Sequence, residues 1–286
     1  MNSEALIKKV QTCKTCGKEY EVHIGHVMGI TIEFGQGNCP SCCDRITEEE
    51  DRREAEANRK RVEGLRENWR QECGIPFRFK DSRFDKFDRN VDKTILKVWR
   101  QCQEYAEKFT FRNPKLSKSL LMYSHGVWGV GKTYLVCSVA SALIDKWNEE
   151  TLRCPVLFIS EPQLFLRVRA SYNRRSSDKE TEDEIYQRLI SVPLLILDDV
   201  GKEEVSDLRF VQRVLFAIID GRYQRMLPIV LTANLTPDEL DLHFGGDRGN
   251  SASMDRLAEM TGNVFYELKG RSYRDVSNRM PDKPSN

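Results

Sequence analysis

Five short apolar runs punctuate the chain from residue 120 onward: LLMYSH at 120–125, VLFIS at 156–160, LLILDD at 194–199, PIVLTA at 228–233 and VFYEL at 264–268. Runs this apolar have no polar face, so they read as strands buried on both sides. The stretches between them carry helical signals, with helices predicted over about 132–147, in segments up to about 190, over about 203–225 and near 251–260. Ahead of the first run, Ile95, Trp99, Cys102, Ala106 and Phe109 follow steps of four and three, an amphipathic helix that Asn113 and Pro114 end. Strand and helix in alternation predict an α/β fold, a mostly parallel sheet with helices on both faces.

The first seventy residues follow another pattern. Val22, Ile24, Ile30, Ile32 and Phe34 alternate with other residues as in short strands, between Cys13-x-x-Cys16 and Cys39-x-x-Cys42. From Asp44 to Glu72 most residues are charged, and Glu48 with Arg52, Glu49 with Arg53 and Glu56 with Lys60 sit four apart, as in a solvated helix. Only Val62, Leu65 and Trp69 give that helix an apolar stripe, which suits a spacer or a partner surface. Gly74, Ile75 and Pro76 break it. The expected domains are therefore 1–43, a zinc-ribbon-like module; 44–74, a charged helical linker; 75–275, the α/β domain; and 276–286, a polar, proline-containing disordered tail. There is no internal repeat.

Composition narrows the classes. With 45 Lys and Arg against 44 Asp and Glu, the net charge of +1 gives no global attraction to polyanions, so any such site is a local patch. No secretory leader opens the sequence and no apolar run approaches the roughly 18 residues that span a bilayer, so the expectation is a cytoplasmic protein without a membrane partner. Five of the nine cysteines crowd into residues 13–43, which in a reducing compartment favours metal over disulfides. Cys13, Cys16, Cys39 and Cys42 offer four thiolates to a tetrahedral, structural Zn2+, with Cys43 a possible substitute for Cys42. Gly17 and Pro40 suit the tight turns, while His23 and His26 read as strand or turn residues. Cys73, Cys102, Cys137 and Cys154 read as small buried hydrophobes.

The chemistry concentrates at the ends of the apolar runs. GVWGVGKT at 126–133 matches the phosphate-binding loop G-x-x-x-x-G-K-[ST] between a strand and a helix. Gly126, Gly129 and Gly131 let the backbone curl so that N–H groups face phosphate oxygens, Lys132 contacts the β- and γ-phosphates of ATP, and Thr133 ligates Mg2+. In LLILDDVG, Asp198 and Asp199 end a buried strand, where paired carboxylates are costly without a cation. This is a Walker B element in which Asp198 holds the magnesium and Asp199 polarises the attacking water. Asp199 is one methylene shorter than the glutamate many P-loop ATPases carry there, so hydrolysis is less secure than binding. Asn234, after PIVLTA, is placed to hold a water or a γ-phosphate oxygen and resembles sensor 1 of AAA+ ATPases.

From Ile75 onward the chain resembles the DnaC and DnaI class of bacterial replicative helicase loaders and the related IstB transposition ATPases, over roughly 200 residues. The resemblance rests on IPFRFKDSRFDKFD, GVWGVGKT, LLILDDVG, LTANLTPDEL, SMDRL and GRSYR, in that order. It implies the AAA+ form of the three-layer αβα sandwich. It also implies that Arg256 of SMDRL is the arginine finger acting on a neighbouring subunit and that Arg274 of GRSYR is sensor 2. Arg248, in the glycine-rich GGDRGNSA, is a rival finger. Loaders of this class carry a helical insertion after the second strand that meets single-stranded DNA, and residues 161–190 fill that place. There Leu164, Phe165, Val168 and Tyr172 form one buried face and leave Arg167, Arg169, Arg174 and Arg175 for phosphates.

The resemblance implies an ATPase that loads a hexameric replicative DNA helicase onto single-stranded DNA, self-associates through its ATPase domain and engages the helicase through the zinc module and linker. Two alternatives stand beside it: an IstB-like transposition ATPase that prefers duplex DNA, and a nucleotide-gated adaptor with marginal hydrolysis.

Overall fold

The computed structural model describes residues 7–27, 30–33, 37–147, 153–172, 180–201, 208–246 and 251–273. The chain divides into two compact units, Met1–Gly64 and Leu65–Asn286. Among the described residues no helix is long and apolar enough to cross a membrane.

In the first unit, β1 (Ile7–Thr12), β2 (Glu19–Val27) and β3 (Ile30–Glu33) form an antiparallel sheet in the order β1-β2-β3. Apolar alternation foretold β2 and β3; Phe34 lies outside the described residues. β1 gave no such signal, because IKKVQT spaces its apolar residues three apart and leaves Val10 exposed. Its partner makes it a strand, in register from Ile7 opposite Ile24 to Thr12 opposite Glu19. Helix α1 (Pro40–Glu72) starts earlier than the expected Asp44, on a proline whose fixed φ suits a first helical turn.

The end of α1 belongs to the second unit. Trp69 is buried edge-on against Trp147 with ring centroids 4.6 Å apart, and Arg66 donates to the Trp147 carbonyl at 3.0 Å. Arg70 pairs with Asp145 at 2.7 Å. Beyond the helix, Gly74 has φ +86°, and a Cβ there would lie 2.3 Å from the Phe158 carbonyl oxygen. Only glycine allows this approach, which lets the Phe158 N–H reach the Cys73 carbonyl at 2.6 Å on the edge of the main sheet.

That sheet has five strands, β4 (Leu120–Tyr123), β5 (Val156–Ser160), β6 (Leu194–Val200), β7 (Ile229–Ala233) and β8 (Phe265–Glu267), all parallel in the order β5-β6-β7-β4-β8. One face is covered by α2 (Lys93–Lys108) and α3 (Lys132–Lys146), through Ile95, Val98, Leu135 and Val139. The other is covered by α4 (Glu161–Tyr172), α5 (Glu182–Ser191), α6 (Leu208–Arg225) and α8 (Ala252–Thr261), through Phe165, Leu189, Leu215 and Leu257. The result is the predicted αβα sandwich.

Two boundaries differ from expectation. α2 stops at Lys108, where Phe109 turns extended at ψ 133°, while Asn113 and Pro114 open a separate 3-10 turn. Helix α7 (Pro237–His243) was not foreseen, although Thr236 and Glu239 form a reciprocal capping box around Pro237.

Trp69→Ala is expected to destabilise the second unit by about 3–5 kcal/mol, the cost of emptying a buried aromatic site. Glu56→Ala, at an exposed position of the same helix, should stay within about 0.5 kcal/mol. Urea unfolding followed by tryptophan fluorescence and circular dichroism compares the two.

Candidate functional site

The C-terminal ends of β4, β6 and β7 open onto one cleft of about 490 Å³, within the range usual for small-ligand sites. Its floor is the loop between β4 and α3. Gly126, Gly129 and Gly131 take φ of +68°, +79° and +98°, left-handed positions that glycine adopts without strain, and Gly129 and Gly131 line the cleft at the start of α3. Lys132 follows, buried to 6% exposure, and its ammonium donates to Ser124 Oγ at 2.5 Å and Asn234 Oδ1 at 2.8 Å. A cation is thereby fixed where the P-loop needs one.

Beside it, Thr133 Oγ1 donates to Asp198 Oδ2 at 2.9 Å and Thr232 Oγ1 donates to Asp198 Oδ1 at 2.5 Å. Burial pushes the Asp198 carboxyl up from 3.8 to about 6, against the hydrogen bonds from Thr232 and Thr133 and with the help of the Asp199 charge. Such a carboxylate gains from a divalent cation, and Thr133 Oγ1 with the Asp198 carboxylate offers oxygen donors that could hold one. The pairing of β6 with β7 slips between Leu197 and Val200, and Asp199 adopts φ +58°. The bulge turns Asp199 into the cleft, where its backbone N–H donates to Thr232 Oγ1 at 3.0 Å and its Oδ1 accepts from Asn234 Nδ2 at 3.2 Å. Lys132, Thr133, Asp198, Asp199 and Asn234 thus meet as the motifs require.

The sequence reading missed the opposite wall. Phe79, Phe87, Tyr134 and Tyr273 line the cleft, with the Phe87 ring 5.6 Å from Tyr134 and 6.0 Å from Tyr273. The Tyr273 N–H donates to the Gly129 carbonyl at 3.0 Å and its hydroxyl to the Asp88 carbonyl at 2.9 Å, so the last described residue ties the P-loop to the entry segment of the domain, IPFRFKDSRFDKFD at 75–88. The aromatic density of IPFRFKDSRFDKFD was the available signal. Thr232 and Ser124 were also missed, each being one polar residue at the end of an apolar run.

Other expected residues lie elsewhere. Arg256 does not line the cleft: its Nε donates to Asp220 Oδ1 at 2.9 Å, and its guanidinium sits over the Phe216 and Tyr223 rings at 5.0 and 5.6 Å. Arg274, Arg248, Arg174 and Arg175 lie outside the described residues. On α4, Leu164, Phe165 and Val168 are buried, but Tyr172 is exposed and Ser171 is the buried residue of the last turn. Tyr172 instead donates from its hydroxyl to Glu182 at 3.0 Å and accepts from Arg213 at 2.6 Å. Arg167 is paired with Glu180 at 2.7 Å, and Arg169 lies 4.8 Å from the Phe210 ring centre.

In the first unit, ligand atoms of Cys13, Cys16, Cys39 and Cys42 lie within 4.8 Å of one another. Cys13–Gly17 forms one tight turn, with Gly17 at φ +72°, and the N–H groups of Cys42 and Cys43 donate to the Cys39 carbonyl in the other. The sulfurs of Cys16 and Cys39 are 3.7 Å apart. Zinc–sulfur bonds of about 2.3 Å in a tetrahedron separate the sulfurs by roughly 3.8 Å, so the quartet fits a metal of that size. Against the burial that raises it, backbone N–H groups of Cys39, Cys16 and Thr15 hold the Cys13 thiol down at about 6. Cys43 is not in the quartet and donates to the Asn38 carbonyl at 3.6 Å; His23 and His26 fall within β2.

Residues 117–280, more than half of the chain, match the model of the IstB-like ATP binding protein family. The chain belongs to this family. Over 145 residues it is 25% identical to the replicative helicase loader DnaI of Bacillus subtilis strain 168, a match spanning 51% of this chain and 43% of that relative. A crystal structure of DnaI superposes with TM-score 0.50 at 25% identity, covering 69% of this chain and 95% of the other. The DnaC helicase loader superposes with TM-score 0.53 at 19% identity, over 68% and 100%. A putative primosome component from Streptococcus pyogenes serotype M3 gives 0.52 at 20%, over 71% and 93%. This IstB-like protein is therefore an AAA+ chain of the ATP-binding P-loop class, related to the DnaI loader and sharing its fold with the DnaC loader.

Because folding raises the Asp198 carboxyl, the stability it contributes is present below 3.8 and lost as pH rises through about 6. In magnesium-free buffer, Asp198→Asn should therefore gain about 2 kcal/mol on the parent chain between pH 4.5 and 7.5. Urea unfolding across that range measures the difference.

Proposed function

We propose that this chain is an ATP-dependent helicase loader for DNA replication, acting in the cytoplasm on a hexameric replicative helicase and single-stranded DNA. The observation that carries the reading is the cleft in which Lys132, Thr133, Asp198, Asp199 and Asn234 converge, on a sheet that superposes on DnaI and follows a four-thiol module. Lys132 holds the β- and γ-phosphates of ATP, Thr133 and Asp198 hold magnesium, and Asp199 with Asn234 orients the attacking water. Magnesium supplies charge neutralisation at the phosphates. The aromatic wall receives the base.

Self-association through the ATPase domain brings Arg256 to the next subunit's cleft, where it leaves Asp220 for developing phosphate charge. Sensor 2 is Arg274, next to cleft-lining Tyr273. The DNA track is the α4 face with Arg169 and the following Arg174 and Arg175. Arg167 is the weakest member of that track, since Glu180 already neutralises it. Zn2+ in the Cys13, Cys16, Cys39 and Cys42 quartet folds the module that, with α1, grips the helicase.

The second reading is an IstB-like transposition ATPase acting on duplex DNA, which the match to the IstB-like ATP binding protein model also accommodates. The four-thiol module ahead of the ATPase domain weighs toward the loader. A loader binds single strands more tightly than duplex when ATP is present, and captures a replicative helicase in the same state. Lys132→Ala should abolish ATP binding, while Asp199→Asn keeps binding and loses turnover by at least about 100-fold. Fluorescence titrations on matched single and double strands with ATP and ADP decide: duplex preference selects the transposition ATPase, and no DNA binding at low salt selects a nucleotide-gated adaptor.

Protein purified without chelator should contain one zinc per chain by elemental analysis. Cys39→Ser should lose it and unfold the first unit while ATP binding persists.

A further inference from the structure

A second carboxylate lies buried beside the cleft and takes no part in the chemistry above. Glu161, the first residue of α4, is 0% exposed. A carboxylate taken fully out of water requires compensation, and it has two partners. Its Oε2 accepts from the Gly201 N–H at 2.8 Å, and its Oε1 meets His243 Nε2 at 2.7 Å, with the His243 side chain only 10% exposed.

Gly201 stands two residues beyond Asp199. Asp199 at φ +58° and Gly201 at φ +80° are left-handed turn positions on either side of Val200, which still pairs with Ala233 at the end of β6. Such a turn persists only where its surroundings hold it. One constraint is Leu235, whose Cδ1 would lie 2.1 Å from a Cβ on Gly201, and which follows Asn234. The other is the Glu161 carboxylate. His243 closes α7, whose start is fixed by the Thr236–Glu239 capping box directly after Asn234 and Leu235. The Glu161–His243 pair therefore spans from the entrance of α4 to the far end of the helix that begins at the Asn234 loop.

We propose that Glu161 is a positioning residue for ATP hydrolysis: through the Gly201 N–H it fixes the turn that aims Asp199 into the cleft, and His243 holds its carboxylate in place. The inference rests on the hydrolytic reading of Asp199.

The test uses the full chain, and Glu161→Gln is the control, since its amide keeps an acceptor for Gly201. Glu161→Leu combined with His243→Leu replaces the buried pair with apolar side chains, a change that buried pairs often tolerate in folding. The apolar double variant should bind ATP within about twofold of the parent, turn it over at least about 10-fold more slowly, and exchange the Gly201 amide at least about 10-fold faster by NMR. Glu161→Gln should restore both rate and protection. Parent-like turnover in the double variant, parallel loss of ATP affinity and turnover, or failure of Glu161→Gln to restore the rate overturns the proposal. A parent chain that binds but never hydrolyses ATP defeats the hydrolytic reading instead, and amide exchange then judges the turn alone: unchanged protection of Gly201 in the double variant overturns it.

Discussion

The buried carboxylate of Asp198 is the constraint around which the ATP site is arranged. It sits at the end of β6 with one oxygen bonded by Thr133 from α3 and the other by Thr232 from β7. Three elements far apart in sequence thus meet on a single anion in a low-dielectric setting, where an unsatisfied charge is costly. The P-loop helix cannot drift from the sheet without orphaning that oxygen. The Asn234 loop is held in the same way, because Thr232 also receives the N–H of Asp199. Positioning and charge storage are one interaction here.

Much of this was legible in the sequence because the chemistry sits in contiguous motifs. The spacing of Gly126, Gly131, Lys132 and Thr133 specifies a loop and a helix start, and the apolar runs specify the strands that flank it. Local patterns gave less wherever the chain departs from a regular element. The bulge at Asp199 depends on pairing between β6 and β7, which one strand's composition does not encode. β1 is a strand through its neighbour rather than its alternation. Tyr172 leaves the expected buried face because its hydroxyl finds Glu182 and Arg213, partners that its own helix does not announce. The wall built by Phe87 and Tyr273 joins residues nearly two hundred positions apart, and the capping box of α7 was readable in TPDE although no helix was expected there.

The arginines illustrate a different limit. Sequence patterns assign chemistry to Arg256 and Arg167 but are silent on their partners within the chain. Asp220 and two rings occupy Arg256, and Glu180 occupies Arg167. For a residue meant to act on another molecule, the strength of its resting contacts sets how much its target must offer.

The grip of α1 on Trp147 has a mechanical meaning. α3 has 15 residues, so it is a rod about 22 Å long with the phosphate-binding loop at one end and, just past the other, the Trp147 clasped by Trp69 and Arg66. The same rod end carries Asp145, which joins Arg70 of α1 to Arg83 of the entry segment leading to the aromatic wall. The phosphate-binding loop and the α1 contact thus sit at opposite ends of one short beam.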